Sequence, residues 1–381
     1  MSLRIERVCA PDQLKSSTRE QWNRLPVQSP TQLPDWLLTW WRVFGQENGS
    51  SENELCILTV FQQDTLVAVV PWYLNHSWQN GNCLRFLGDR CVGSVPASVI
   101  VGSVSQESLV RVLSHWLRCE SGRRWQTINL QGVQKDEAVV RQIINNLHID
   151  GCDIHTRNSV GNWAVDLPNS WEAFLSSLSP DHQEQFQRWQ RTYFDTKRAT
   201  VNATPTISFE YGWNQIARLN EPIYHEPQSE KTEHSVFGDR RYHEFHLEVL
   251  ARLVPNAQAE ISELVVDGQV VAANYVLRHA DTIYCYQSGS VSRESRDDYG
   301  DLLILSLFRD AIRDGYRRIE FIRGDKSRCD WGALRNGLIS YVVAASSLAG
   351  SAQVASYRAV DTLRALNKMI GASLSTDRSV L

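Results

Sequence analysis

The sequence has no marked excess of either charge and no long apolar run. Its 39 Lys and Arg residues nearly balance 43 Asp and Glu residues, for a net charge of −4. The chain as a whole therefore lacks the electrostatic footprint of a nucleic-acid-binding protein. No apolar run reaches the length of a membrane span, and residues 1–17 lack the apolar core of a signal peptide. We expect a cytoplasmic protein.

Two familiar cysteine and metal patterns are also missing. The eight cysteines are scattered singly, without a C-x-x-C pair, and this distribution favours reduced thiols over disulfides. The segment YHEFH carries His243 and His246 at a spacing that differs from the H-E-x-x-H zinc motif. We predict no bound metal.

The chain has the length and composition of two folded domains. It contains 381 residues, of which 42% are hydrophobic and 22% charged, values that are ordinary for a globular protein. We place the boundary near Pro168, which gives an N-terminal domain of residues 1–167 and a C-terminal domain of residues 168–381. Beyond the boundary, we predict a polar helix over 180–197 and a strand over Thr206–Tyr211.

Both halves contain a hairpin, a helix and a further strand in the same order. We predict these elements at 55–73, 106–120 and 128–132 in the first half, and at 261–278, 300–314 and 318–322 in the second. Two copies of one order indicate a duplicated unit. Helices placed between strands imply an α/β fold with mixed sheets and at least one parallel strand pair.

The second of these units has the clearest local signals. Asp267-Gly268 is the dipeptide preferred in a tight type I′ hairpin turn. A third strand is predicted at Thr282–Gln287, and a charged loop leads from it to a helix that begins near Gly300. Unpaired N–H groups at the start of a helix are a natural place to hold an anion.

Three local patterns resemble the Fem-like or BioF2-like acyltransferases of the GNAT superfamily. They are the segment PVQSPTQLPDWLLTWWRVFG, the unit YGDLLILSLFRDAIRDGYRRIEF, and the strand end IRGD followed by Trp331-Gly332. The resemblance spans about residues 25–345. It implies two tandem GNAT-like domains, of which the second binds an acyl thioester such as acetyl-CoA and is catalytic. The loop SGSVSRESRDDYG departs from the family because it lacks the Q/R-x-x-G-x-G/A phosphate pattern.

The donor-binding candidates lie around the start of the predicted helix. Arg293 and Arg296 precede it, Tyr299 and Gly300 open it, and an arginine fork suits phosphate oxygens. Three acidic residues in the same region favour helix capping and oppose a pyrophosphate: Asp297, Asp298 and Asp301. A solvated loop with ordinary capping is therefore the competing interpretation.

The catalytic candidates are Asp325, Tyr286 and Glu263. Asp325 follows a strand end, where open α/β sheets gather their ligands, and either takes a proton from the acceptor or pairs with Arg323 or Arg328. Tyr286 shares one face of its strand with Tyr284. It either protonates a leaving thiolate or packs in the core with a bonded hydroxyl. Glu263 is either a base acting through a water or an exposed glutamate on an edge strand.

The substrate-binding candidates are Arg323, His225 and Trp331. His225 precedes a polar loop that is a candidate gate for a cleft, and a solvated histidine is the alternative there. Trp331 belongs to the family-like pattern after the IRGD strand end.

The leading functional hypothesis is acyl transfer without a covalent enzyme intermediate. The donor is acetyl-CoA or another acyl-CoA, and the acceptor is an amine or hydroxyl of a sugar or cell-envelope precursor. One alternative is a Fem-type aminoacyl transferase that uses aminoacyl-tRNA. The mixed charges of the helix over 180–197 weaken that nucleic-acid interpretation. A non-catalytic protein that keeps the fold is the other alternative.

Overall fold

The computed structural model describes residues 2–45, 53–77, 81–89, 92–94, 96–120, 124–225, 236–291, 298–322, 331–345, 354–359 and 362. Its strands are β1 (Leu3–Val8), β2 (Glu54–Gln62), β3 (Thr65–Ser77), β4 (Gly81–Phe86), β5 (Ile100–Val101), β6 (Thr127–Gln134), β7 (Asp153–Asp166), β8 (Ala199–Ala203), β9 (Ala259–Val266), β10 (Gln269–His279), β11 (Thr282–Ser290), β12 (Arg318–Phe321) and β13 (Leu334–Ala344).

The helices lie on both faces of the sheet that these strands form. They are α1 (Ser16–Asn23), α2 (Pro34–Phe44), α3 (Gln106–Glu120), α4 (Ala138–Ile149), α5 (Trp171–Ser177), α6 (Pro180–Trp189), α7 (Phe209–His225), α8 (Arg240–Leu253) and α9 (Tyr299–Arg313). Within the described ranges, no helix is both long enough and apolar enough to cross a membrane.

All strands join one mixed sheet with a near-symmetric order. The order is β1-β2-β3-β4-β6-β13-β7-β12-β11-β10-β9-β8, with β5 paired to β3. From its edge towards the centre, each half of the sheet has an outer strand, the two strands of a hairpin, a further antiparallel strand and then a strand that pairs in parallel. The parallel pairs are β4·β6 and β11·β12. The predicted duplication, the mixed α/β class and the parallel pairing are confirmed.

The two halves exchange a strand at the centre of the sheet. The strand β7, from the first half of the chain, pairs with β12, and β13, from the end of the chain, pairs with β6. β7 and β13 then pair with each other along their length. The sheet is therefore continuous across the halves, and the boundary near residue 168 stays a prediction.

One hydrophobic core contains helices from both halves. Trp36 of α2 packs edge-on against Phe245 of α8, with 5.1 Å between the ring centroids. Trp213 of α7 is fully buried in the same core. Two further cores lie with α3 and α4 in the first half and with α5, α6 and α9 in the second. Because the shared core buries large aromatic surfaces, it fixes the halves against each other.

Most local predictions are confirmed, and one is wrong. Asp267 and Gly268 have φ values of 49° and 83°, as a type I′ turn requires. The strand predicted over Thr206–Tyr211 is wrong, because Ser208 Oγ accepts the Tyr211 N–H at 3.2 Å and α7 begins there. The helix predicted over 180–197 corresponds to α6, which is followed directly by a π-helical turn, Gln190–Phe194.

Gly161 should be important for the stability of the pairing between β7 and β13. A Cβ at Gly161 would lie 2.0 Å from Asn336 O, whereas a Cβ at the facing Gly337 would only touch Lys135 at 3.5 Å. We expect Gly161→Ala to lower the free energy of unfolding by about 2 kcal/mol, because a clash with backbone cannot be relieved by a rotamer change. Gly337→Ala is the matched control and should cost less than about 0.5 kcal/mol. Urea unfolding measures both, and equal losses for the two variants would contradict the exchange geometry.

Candidate functional site

The candidate site is a gap between β11 and β12. Their parallel ladder runs from Thr282↔Arg318 to Cys285↔Phe321. The Ile322 N–H donates to Cys285 O at 3.1 Å. From Gln287 to Ser290, β11 is paired with β10 on its other side, and no described strand pairs with the edge that faces β12. We call this opening the β11–β12 gap.

A β-bulge lies where the gap begins. Tyr275 of β10 faces Gln287, whereas the next residue, Val276, faces Cys285, so Tyr286 has no opposite residue. Bulges bend a strand and redirect its side chains, and they are frequent next to active sites. Both strand geometry and side-chain direction therefore change at the predicted catalytic tyrosine.

Two tyrosines of β11 reach across to the first half of the chain. The Tyr284 hydroxyl donates to Gln28 O, and the Tyr286 hydroxyl donates to Val92 O. Both rings are buried in the shared core, and burial raises the pKa of Tyr284. The prediction that these tyrosines share a face is confirmed, and both hydroxyls are bonded. The role of Tyr286 as an acid stays a prediction.

The corresponding place in the first half is filled by the chain itself. There the parallel ladder of β4 and β6 runs from Cys83↔Thr127 to Arg85↔Asn129. Beyond it, the Ala97 N–H donates to Gly132 O at 2.9 Å, so the loop after β4 covers the edge of β6. The side chain of Gln32 fixes this loop by donating to Pro96 O at 3.1 Å and to Ser98 Oγ at 3.0 Å.

The N-terminus of α9 borders the β11–β12 gap. Asp298 caps the helix by accepting the Asp301 N–H at 3.1 Å. A Cβ at Gly300 would lie 3.4 Å from Ser290 Oγ, which places the first turn of α9 against the end of β11. The first turn of α9 thus borders the gap, and the donor-binding roles of Tyr299 and Gly300 stay predictions. Arg293 and Arg296 lie outside the described residues.

Helix α7 closes the other side of the extended part of β11. Asn220 is buried, and its Nδ2 donates to Ile216 O at 2.8 Å and to Ser288 O at 3.0 Å. A Cβ at Gly289 would approach Leu219 Cβ to 2.8 Å, so glycine is needed for this close packing. Sequence reasoning missed Asn220, although an asparagine within the apolar stripe of a helix was a usable signal.

Glu263 is buried rather than exposed. It is 3% accessible, because β9 is not an edge strand: β8 pairs alongside it, and Asn202 Nδ2 donates to Glu263 Oε1 at 3.1 Å. The expectation of an exposed edge glutamate is wrong for that reason. Glu263 is level with Ala273 and Gly289 on the next two strands, so it lies about 10 Å from the gap. Burial first, and then the charge of Glu263, raise the pKa of Tyr211 on α7.

Trp331 is the substrate-binding candidate whose side chain the structure describes. Trp331 is 3% accessible, and its ring packs edge-on against Phe186 and Phe308 at centroid distances of 5.2 and 5.7 Å. Its placement is that of a core residue. Arg323 and Asp325 lie outside the described residues, as does the side chain of His225. The functional roles assigned to these four residues stay predictions.

A buried histidine lies behind Tyr286. His246 is fully buried, and neither of its ring nitrogens has a hydrogen-bond partner in the described part of the chain. Its ring centroid lies 4.4 Å from that of Tyr242, 4.5 Å from Trp213 and 5.3 Å from Tyr286. Burial first, and then the neighbouring His243, lower the pKa of His246 well below its usual value. His246 is therefore neutral at pH 7.

Comparison with known proteins identifies the fold. Residues 214–331 match the model of the acetyltransferase (GNAT) domain family. A crystal structure of FemX superposes with a TM-score of 0.57 at 11% identity, covering 88% of this chain and 96% of that one. A conserved protein of unknown function from Bacteroides thetaiotaomicron VPI-5482 gives 0.50 at 11% identity, covering 90% and 100%. A search of curated proteins gave no match. Residues 214–331 thus resemble a GNAT domain, within a fold of two GNAT-like units.

His246 should make the protein sensitive to acid. In the unfolded chain its pKa is about 6.5, and in the folded protein it is lower, so acid adds a proton to the unfolded state first. The free energy of unfolding should fall below pH 6.5 by up to about 1.4 kcal/mol per pH unit from this group. His246→Phe should remove that part of the slope.

Urea unfolding of both proteins at pH 7.5, 6.0 and 5.0 measures the effect. His148→Gln, a change at an exposed histidine, is the control and should keep the wild-type slope. An unchanged slope in His246→Phe would contradict a neutral buried imidazole.

Proposed function

We propose that this chain is an acyltransferase whose acyl-CoA donor occupies the β11–β12 gap. The transferred group is an acyl group, with acetyl as the first candidate. The acceptor is an amine or hydroxyl of a sugar or cell-envelope precursor, as the Fem-like and BioF2-like resemblance implies. The observation that carries the proposal is the difference between the halves. Ala97 and its loop close the gap of the first half, whereas the gap of the second lies inside the matched GNAT domain.

The edge of β11 over residues 287–290, with which no described strand pairs, suits an extended donor that contains amide groups. Such a chain adds to an unpaired strand edge as another strand does, through backbone hydrogen bonds. The pantetheine arm of coenzyme A carries two amides and is long enough to lie along this edge. The first-turn N–H groups of α9 then face the donor's phosphates.

The reaction proceeds by direct attack on the thioester. The acceptor's nitrogen or oxygen bonds to the carbonyl carbon, the carbon–sulfur bond breaks, and the sulfur leaves as a thiolate that takes a proton. Tyr286 lies at the bulge beside the gap and carries the hydroxyl assigned to this proton transfer. Asp325 is assigned to accept the acceptor's proton. An aminoacyl-tRNA donor and a non-catalytic role are the competing functions.

Blocking the gap should abolish donor binding. Ser288 is exposed on the extended part of β11, so Ser288→Trp places a large ring where the donor lies. We expect the affinity for acetyl-CoA, measured by isothermal titration calorimetry, to fall at least tenfold. Thr200→Trp is the matched control, because Thr200 is also exposed but lies on the edge strand β8. That variant should bind like the wild type. Failure of the wild-type protein to bind millimolar acetyl-CoA would refute the proposed donor, and binding of charged tRNA would favour the aminoacyl alternative.

The two tyrosines of β11 allow a test of proton transfer. Tyr286→Phe and Tyr284→Phe each remove one buried hydrogen bond to a carbonyl of the first half, at a cost of about 1 kcal/mol. Only Tyr286 lies at the gap, so Tyr286→Phe alone should lower kcat, by about 100-fold.

The assay follows release of free CoA thiol, with the best acceptor from a panel of amino sugars and polyols. Similar kcat values for the two variants would assign Tyr286 a purely structural role.

A further inference from the structure

A second cavity lies where α5, α6 and the following π-helical turn pack against α9. It has a volume of about 490 Å3, within the range of small-molecule pockets. None of the described residues that line it belongs to β11 or β12. Its walls include Trp171, Leu175, Phe186, Phe194 and Leu305. The cavity is thus separate from the proposed donor gap and largely apolar.

Two arginines add positive charge to these apolar walls. Arg309 Nη1 donates to Gln190 Oε1 at 3.0 Å, and its guanidinium lies 5.3 Å from the Phe194 ring centroid. Arg191 Nε donates to Gln187 O at 3.3 Å. No carboxylate in the described ranges forms an ion pair with either arginine. Since a guanidinium has five N–H donors, both arginines keep donors for a ligand.

The neighbouring acidic residue does not neutralise them directly. Asp195 Oδ1 accepts a hydrogen bond from Gln190 Nε2 at 2.8 Å. The Gln190 amide therefore stands between this carboxylate and the Arg309 guanidinium. The Gln190 amide oxygen accepts a hydrogen bond from Arg309, and the amide nitrogen donates one to Asp195.

The helix that forms one wall of the cavity changes from α-helical to π-helical winding after α6. The Asp195 N–H donates to Gln190 O at 3.0 Å, which is the i→i+5 bond of a π-helix. Such turns are rare and frequently mark functional sites. The turn contributes Gln190, Arg191 and Phe194 to the lining. This local distortion is an observation independent of the charge pattern.

We propose that the cavity binds an anionic amphiphile, with an aliphatic chain and one terminal carboxylate. The chain packs against the aromatic and aliphatic walls, where burial of apolar surface stabilises it. The carboxylate accepts hydrogen bonds from Arg309 and Arg191, and charge-assisted pairs of this kind are the strong ones. A neutral head group leaves the guanidinium donors unsatisfied, and a cationic one is repelled.

Calorimetry with the full chain, without acyl-CoA, tests this inference separately from acyl transfer. The probes are decanoate, 1-decanol, decylammonium and butyrate, which vary the head group and the chain in turn. We expect decanoate to bind at least tenfold more tightly than each of the others. Arg309→Gln should weaken decanoate about tenfold, because one charge-assisted pair is lost. Leu305→Trp should abolish binding by filling the cavity.

The control is Arg313→Gln, which makes the same change of charge on the same helix. Arg313 is paired with Asp310 and Asp314 and does not line this cavity, so that variant should bind decanoate like the wild type. Equal affinity for decanoate, decanol and decylammonium would overturn the proposal. So would decanoate binding that Arg309→Gln leaves unchanged. If Leu305→Trp does not fold, the Arg309→Gln and Arg313→Gln pair decides alone.

Discussion

The antiparallel pairing of β7 with β13 is the constraint on which the rest of the structure depends. β7 also pairs with β12 of the second half, and β13 also pairs with β6 of the first half. Neither half of the sheet is therefore complete without a strand from the other. The bulge in this ladder brings Asn336 O against Gly161, where only glycine fits. Because the ladder fixes the register of both halves, it also fixes which loops of the first half meet β11.

The strand exchange explains how a duplicated fold can hold one site rather than two. In the first half, the loop around Ala97 has closed the opening beside β6. The same loop region supplies Val92 O, which accepts the hydroxyl of Tyr286 in the second half. The first half therefore contributes to the surroundings of Tyr286 in the second half. The loop that covers the edge of β6 thus also supplies a hydrogen-bond acceptor for a side chain beside the β11–β12 gap.

Local sequence signals predicted the parts of the fold that local physics decides. Asp267-Gly268 marks its turn because few other residue pairs tolerate positive φ at both positions. The stretch Thr206–Tyr211 misled, because its alternating apolar residues suggest a strand while Ser208 caps a helix. The exchange of β7 and β13 has no local signal, since it depends on pairing between residues far apart in the chain.

The candidate site was predictable to a similar degree. Alternation along β11 placed Tyr284 and Tyr286 on one face, and this was correct. The bulge at Tyr286 and the burial of Glu263 depend on neighbouring strands, so single-strand patterns missed both. Asn220 is a side chain whose partners come from two elements, Ile216 on its own helix and Ser288 on β11.

The electrostatics of the two sides of the gap differ, and this difference constrains the chemistry that we propose. On the side of the shared core, His246 is buried among aromatic rings and neutral, so no imidazolium stands behind Tyr286. On the side of α9, Asp298 caps the helix and Asp301 adds a second carboxylate to its first turn. Under the proposed function, the donor's phosphates share this helix end with the two carboxylates, and the reacting thioester lies towards the shared core. The role that we propose for Tyr286, proton donation to the leaving thiolate, therefore depends on its phenol and on its place at the bulge.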